Sequence, residues 1–266
     1  MLHTEMRAVP TRPVAWEAHG SIILRPRRSA DPCASCDGRL SSVCNAIPDS
    51  DLARLASVAV VVNAPAGRTV IDEGEPASHF FNVIAGTVKL VKMLPDGRQQ
   101  IIGFAGVGHF LGLAVSDTYA FSATAIEPVR YCRFTRAKLL ALLDDFPLME
   151  KRLLEVTANE LVTAQEQMLL LGRKTARERV ASFLLMQSHR GEPSHQPGDS
   201  FRLPMHRADI ADYLGMALET VSRALSRFRS DRIIDLPTVN EVVIHDRAAI
   251  ESIAGGLASD GQGRKL

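Results

Sequence analysis

The chain has 266 residues, 46% hydrophobic and 23% charged, with 31 Lys and Arg against 30 Asp and Glu for a net charge of +1. This is ordinary globular composition with enough chain for one large or two modest cores, and the overall charge points neither toward nor away from nucleic acid. No apolar run approaches the ~18–20 residues of a membrane-spanning helix, and the start lacks the continuous apolar stretch of a secretory signal, so a cytoplasmic protein with no membrane partner is expected.

Residues 1–30, interrupted by Pro10, Pro13 and Pro26, read as poorly ordered and open a segment, 1–50, distinguished by its thiols. "DPCASCDGRLSSVC", residues 31–44, holds Cys33, Cys36 and Cys44, three of the four cysteines in the chain; the fourth, Cys132, lies far downstream. In a reducing compartment a disulfide framework is the weaker reading of such a cluster, and metal binding or redox sensing the stronger. From Val58 to Phe134 the texture becomes short β-rich runs separated by glycines, among them "FFNVIAG", "TVKLVKM", "RQQIIGF" and "VRYCRF". Leu94-Pro95-Asp96-Gly97 between two of these runs is a hairpin turn, Pro presetting φ and Gly tolerating φ > 0. Strands at this spacing predict a β-barrel or jelly roll over 51–146.

After Pro147 the pattern turns helical. "LMEKRLLEVTANELVTAQEQMLLL" is free of Gly and Pro, and Leu154, Leu161 and Met168 recur every seven residues with Thr157, Ala164 and Leu171 three places after each. A seam this narrow suits a helix pairing with its twin in a homodimer better than a helix buried on its own barrel. This helix is expected over 147–172. A second amphipathic helix, "RKTARERVASFLLMQSHR", and a Gly/Pro/Ser connector, 191–200, follow.

Residues 172–234 carry a local excess of basic groups, eleven Lys and Arg against seven Asp and Glu. Within them Arg207–Leu214 reads as a short helix ending at Gly215, and Leu218–Ser230 as a longer one after a three-residue turn. Ile210, Leu214, Val221 and Leu225 supply the apolar angle between the two, as a helix-turn-helix requires. A surface helical hairpin would not explain why Glu219, Ser222 and Arg223 stand together on one exposed polar face. "RIIDLPTVNEVVIHD" reads as a β-hairpin wing, closing a domain over 173–250 ahead of a flexible tail, 251–266. The class is α+β: a cupin-like or jelly-roll sensor barrel, a long dimerisation helix and a C-terminal winged helix-turn-helix.

This order of elements resembles the CRP/FNR superfamily of bacterial transcription regulators over roughly residues 33 to 250. "DIADYLGMALETVSRALSRF" and "LLLGRKTARERVASFL" are similar to their counterparts in its FNR branch. The resemblance implies double-stranded DNA as partner, homodimers, contact with RNA polymerase, and base reading by the stretch Glu219, Thr220, Ser222 and Arg223 on half-sites like TTGAT. Arg can donate twice to guanine and a carboxylate can accept from cytosine N4, while Arg227 and Arg229 would face phosphates. Glu219 and Arg223, one turn apart, could also pair with each other in the free protein. Ala217 stands where relatives often place Thr or Ser, so the second helix starts without a side-chain cap. The 94–97 hairpin is a candidate polymerase contact. At the dimer helix the resemblance puts Glu166 at the interface, where it could meet its own copy as a like charge; Glu160 is assigned to the solvated face.

For the sensed signal, the cyclic-nucleotide branch holds its ligand with a Gly-Glu pair and an Arg. Here Leu111-Gly112 and Phe121-Ser122 occupy that neighbourhood, and no Lys or Arg lies between Arg98 and Arg130. A buried cyclic phosphate would be unpaired, so no cyclic nucleotide is expected. Four thiolates suit a tetrahedral zinc or a cubane iron–sulfur cluster. The FNR branch implies the latter: a [4Fe–4S] cluster on Cys33, Cys36, Cys44 and Cys132 that favours the dimer without oxygen. Seven residues separate Cys36 from Cys44 where well-known members have five, so oxygen sensitivity does not transfer. A zinc or thiol–disulfide switch on the same fold is the alternative. A cupin-like metalloenzyme is disfavoured because His79 and His109 are thirty residues apart with no H-x-H pair, and no nucleophile–base arrangement appears; the chain is not expected to be an enzyme.

Overall fold

The computed structural model describes residues 32–113, 117–190 and 199–256. Expectations for residues 1–30, for 191–198 of the connector and for the chain beyond 256 lie outside these. After a turn-rich segment and two 3-10 turns, Val43–Ala46 and Asp49–Asp51, a short helix α1 (Leu52–Val58) leads into eight strands. These are β1 (Ala59–Ala64), β2 (Thr69–Ile71), β3 (His79–Ala85), β4 (Val88–Met93), β5 (Gln99–Ala105), β6 (Phe110–Leu111), β7 (Ser122–Ala125) and β8 (Val129–Thr135). They form two four-stranded antiparallel sheets, β1-β8-β3-β6 and β2-β7-β4-β5. The two inner faces pack Phe81, Val83, Val88, Ala123, Val129 and Tyr131 against one another as a jelly roll. Residues 94–97 turn between β4 and β5 as expected, with the Leu94 N–H donating to Arg98 O at 2.8 Å and Gly97 at φ +87°.

Alternation along β3 and β8 sends every second side chain out of the roll. Phe80, Ile84, Cys132 and Phe134 therefore form a second core, shared with Val43, Ile47, Leu55, with Leu139 and Leu142 of α2 (Arg136–Asp145), and with Met149 of α3. Helix α3 spans Pro147–Arg173, with proline at its first position, where the missing N–H is harmless.

Helix α4 (Ala176–Arg190), β9 (Asp199–Arg202), α5 (Arg207–Leu214), α6 (Leu218–Ser230), β10 (Ile234–Thr238), β11 (Glu241–Ile244) and α7 (Arg247–Ala254) complete the C-terminal part. The winged sheet has three strands, ordered β10-β11-β9. Asp199 and Ser200, expected in the connector, thus belong to a strand. The tail expected from residue 251 is corrected as well: α7 continues to Ala254, and Ile253 and Ala254 are buried in the domain core. That core also contains Val91, Ile101 and Phe104 from the outer face of the β4–β5 sheet, so the barrel and the C-terminal part share one apolar cluster.

Candidate metal centre and nucleic-acid interface

The cysteine segment is wound by short-range bonds. Cys36 N–H donates to Cys33 O, Arg39 N–H to Cys36 O and Ser42 N–H to Arg39 O, and the Ser42 hydroxyl caps the 3-10 turn by accepting from Cys44 N–H at 3.2 Å. Arg39 closes the loop, donating to Ile47 O at 2.8 Å and pairing with Asp49 at 2.7 Å. Gly38 lets the loop press on the sheet, since a Cβ there would lie 3.2 Å from Ile84 Cα. On the sheet side Cys132 is central, paired across β8 with Val61 of β1 and Asn82 of β3.

The result is one cavity lined by all four thiols together with Arg39 and Asn82. None of the four cysteines is in a disulfide; Cys33, Cys44 and Cys132 are buried and Cys36 half-buried. Burial pushes the Cys132 thiol up to about 12, helped by the neighbouring thiols, and pushes Cys44 up to about 11 against the opposing Ser42 hydrogen bond. Both are therefore neutral thiols at pH 7, and a bound cation must displace their protons. Among the described residues no three His, Cys, Asp or Glu converge in the geometry of a single ion. The sulfur-only donor set fits a thiolate-bound metal group, a zinc ion or an iron–sulfur cluster.

The cavity is linked to α3 through Cys44, which lies in the 3-10 turn that packs on that helix. Leu153 and Val156 face this core, while Leu154, Leu161 and Met168 are exposed, at 70%, 60% and 66%. Leu171 departs from the expected seam: it turns inward against the C-terminal core. At ~100° per residue it lies well round the helix from Leu154. The second apolar row is instead Val162 and Leu169, 52% and 58% exposed on the other flank, and the exposed Glu166 lies beyond them.

At the C-terminal end of α3, Arg179 donates to Leu171 O and Lys174 O, and to Leu214 O at the end of α5, all at 2.8–2.9 Å. Gly215, left-handed at φ +60°, makes the turn between α5 and α6. Val221, Leu225 and Phe228 anchor α6, leaving Glu219, Arg223, Arg227 and Arg229 exposed and Thr220 and Ser222 half-buried. Ala217 supplies no side-chain cap, as expected. The anticipated Glu219–Arg223 pair is not formed; Arg223 Nη2 reaches Thr220 Oγ1 at 3.5 Å. Thr220, three residues away, offers the nearer acceptor. Arg227 and Arg229 pair with Asp231 and Asp235 at 3.2 and 3.4 Å. Such exposed pairs are weak and exchange readily for phosphate.

Sequence reasoning missed the bond between the barrel and the reading head. Lys89 Nζ meets Asp209 of α5 at 2.7 Å, Gln100 donates to Asp212 O at 2.6 Å, and Phe104 packs on Tyr213 with ring centroids 5.4 Å apart. Lys89, a charge between the apolar Val88 and Leu90 of "TVKLVKM", marked the outward face of the strand but not what it would meet. In the barrel, Leu111 and Phe121 pack on the inner core, and Ser122 Oγ accepts from Glu73 N–H at 3.0 Å. A separate hollow at the barrel mouth is lined by both signs of charge, Asp72 and Glu75 with His79 and Arg133. No helix among the described residues is long and apolar enough to cross a membrane.

Comparison with known proteins matches a cyclic nucleotide-binding domain to residues 61–146 and a Crp-like helix-turn-helix domain to residues 178–253. The nitrogen fixation regulation protein FixK of Bradyrhizobium diazoefficiens is 37% identical over 222 residues, 84% of this chain and 93% of that protein. The transcriptional activator protein FnrL of Cereibacter sphaeroides is 36% identical over 234 residues, 86% of this chain and 94% of that protein. Among solved structures, FixK2 from Bradyrhizobium japonicum superposes with a TM-score of 0.69 at 36% identity, covering 74% of this chain and 97% of that one.

Proposed function

Because this chain belongs to the CRP/FNR family of transcription regulators, whose members are not enzymes, we propose that it is a cytoplasmic, oxygen-responsive regulator whose four cysteines hold a [4Fe–4S] cluster. The observation that carries this reading is the single cavity lined by Cys33, Cys36, Cys44 and Cys132. A zinc ion would use the same four sulfurs; the cluster is preferred because the chain resembles the FNR branch. The group would supply oxygen-sensitive redox chemistry. The chain's own residues supply the rest. Ligation by Cys44 fixes the 3-10 turn, the turn seats Leu153 and Val156, and α3 thereby presents Leu154, Leu161, Val162, Met168 and Leu169 to a second copy.

The homodimer would set two α6 helices on half-sites one DNA turn apart, ~34 Å. Arg223 would read the guanine of a TTGAT-like half-site, Glu219 the paired cytosine and Ser222 a neighbouring thymine, with Arg227 and Arg229 on phosphates. RNA polymerase is the further partner, for which the exposed hairpin at 94–97 is available. Cyclic nucleotide has no place in this reading: Leu111, Gly112, Phe121 and Ser122 bring no cation to the inner core.

The test is anaerobic reconstitution with iron and sulfide analysis, beside Cys132→Ser. The wild type should take up iron and sulfide in equal amounts and bind DNA as a dimer, and the variant should lose both properties. A Cys132→Ser protein with a full cluster and normal DNA binding would remove Cys132 from the ligand set. One zinc and no sulfide in the wild type would establish the alternative.

A further inference from the structure

Asn82 is a polar side chain in an apolar place. It sits between Phe80 and Ile84 on the outward face of β3, is 1% exposed, and stands directly across from Cys132. Directly paired side chains in antiparallel strands lie ~5 Å apart at Cβ. Its Oδ1 has no hydrogen-bond partner, and neither has Arg39 Nε. Both of these atoms line the same cavity as the four thiols. Buried polar groups are almost always satisfied, so two orphans in one hollow point to a group that completes them.

The chemistry of that group follows from its surroundings. Four thiolates around an iron–sulfur core leave a net negative charge out of reach of water, and such a charge calls for donors. Arg39 Nε–H can only donate. The Asn82 amide offers an N–H in place of its oxygen after a half-turn about its last bond, and the two orientations are otherwise alike. The Arg39 guanidinium is already held by Ile47 O and Asp49, so its Nε–H is fixed in direction.

We infer that Asn82 and Arg39 are positioning residues of the thiol site, donating hydrogen bonds from opposite walls of the cavity to the sulfurs of the bound cluster. This rests on the iron–sulfur reading above. Hydrogen bonds to cluster sulfur raise the reduction potential and slow loss of the metal. Without the cluster, Asn82 contributes nothing to the fold that alanine would not.

The test compares Asn82→Ala with Asn82→Ser in the full chain, two side chains of nearly equal size that differ by one donor. Both cluster-free proteins should unfold at or above the wild-type temperature. After anaerobic reconstitution, Asn82→Ala should yield its iron to a chelator about 10–100-fold more readily than wild type and show a lower cluster reduction potential. Asn82→Ser should fall between the two. Equal iron retention and equal potential in the Ala and Ser variants would overturn the inference, as would a cluster-free Asn82→Ala protein that unfolds below wild type. A wild-type protein that takes up no iron and sulfide would overturn the cluster reading itself, and that outcome is read before either variant is made.

Discussion

Helix α3 is held in two different ways at its two ends. Near its start it leans on a core that carries polar groups: four thiols, an amide and a guanidinium line one cavity. Near its finish it enters a filled core, where Leu170 packs with Phe183, Leu184 and Tyr213, and where Arg179 ties the last carbonyls of α3 to the end of α5. A filled core is stable as it stands. A hollow one lined by polar groups is incomplete, and its packing depends on what fills it. Under the proposed function the end near the barrel would respond, and the end near the DNA-reading helices would transmit.

The comparison breaks most visibly if the filled end is opened. Phe104, 4% exposed, lies between Phe183 and Tyr213 with ring centroids 6.4 and 5.4 Å away. Phe104→Ala should cost about 3–5 kcal/mol. Calorimetry should then resolve two transitions in place of one, as barrel and C-terminal part cease to melt together. A single transition at the wild-type temperature would mean that the shared cluster does not couple them.

A smaller effect sharpens the account of the transmitting end. Arg223→Ala should cost about 1–3 kcal/mol per half-site and flatten discrimination at one base pair while leaving the salt dependence largely intact. Binding titrations on singly substituted sites across a salt series check this. Equal weakening on every sequence would make Arg223 a phosphate contact and move base reading elsewhere on α6.

The smallest effect belongs to the outer face of α3. Glu166 is exposed beside Val162 and Leu169. If it meets its copy across a two-fold axis, Glu166→Ala should strengthen dimerisation of the cluster-free protein by about 1 kcal/mol or less. Sedimentation of the two proteins decides it, and an unchanged association constant would leave Glu166 in solvent.

The two ends also differed in how far residues alone could reveal them. Residues 207–230 yielded both helices and the turn between them to the residue, because the helix-turn-helix is local: Ala211, Gly215 and Val221 carry its geometry within a few turns of chain. The thiol cavity joins Cys44 to Cys132 across eight strands, and only the resemblance brought those two together in advance. Asn82 was invisible inside "FFNVIAG", since a strand pattern shows which residues share a face and not which of them lacks a partner. For α3 the seven-residue period marked Leu154, Leu161 and Met168, but a period cannot say which flank the protein's own core will claim. It claimed Leu171, leaving Val162 and Leu169 outside. The last turn of α7, residues 251–254, reads as tail because its apolar positions, Ile253 and Ala254, find their purpose only in the finished domain.

The staple made by Arg179 has a mechanical consequence. With α3 bonded end to end to α5, the 27-residue helix is a lever between the thiol site and the reading head, and any swing must be shared by the Lys89–Asp209 and Gln100–Asp212 bonds that hold α5 to the barrel. Such a lever is ~40 Å long, so a tilt of about 5° at the cavity swings its far end by about 3.5 Å. That is close to the ~3.4 Å rise of one base pair. In a two-fold symmetric pair the two levers would swing in directions related by the axis. A small tilt at the thiol site, carried through the bonds between α5 and the barrel, would then be large enough to throw two recognition helices out of step with the turn of the DNA.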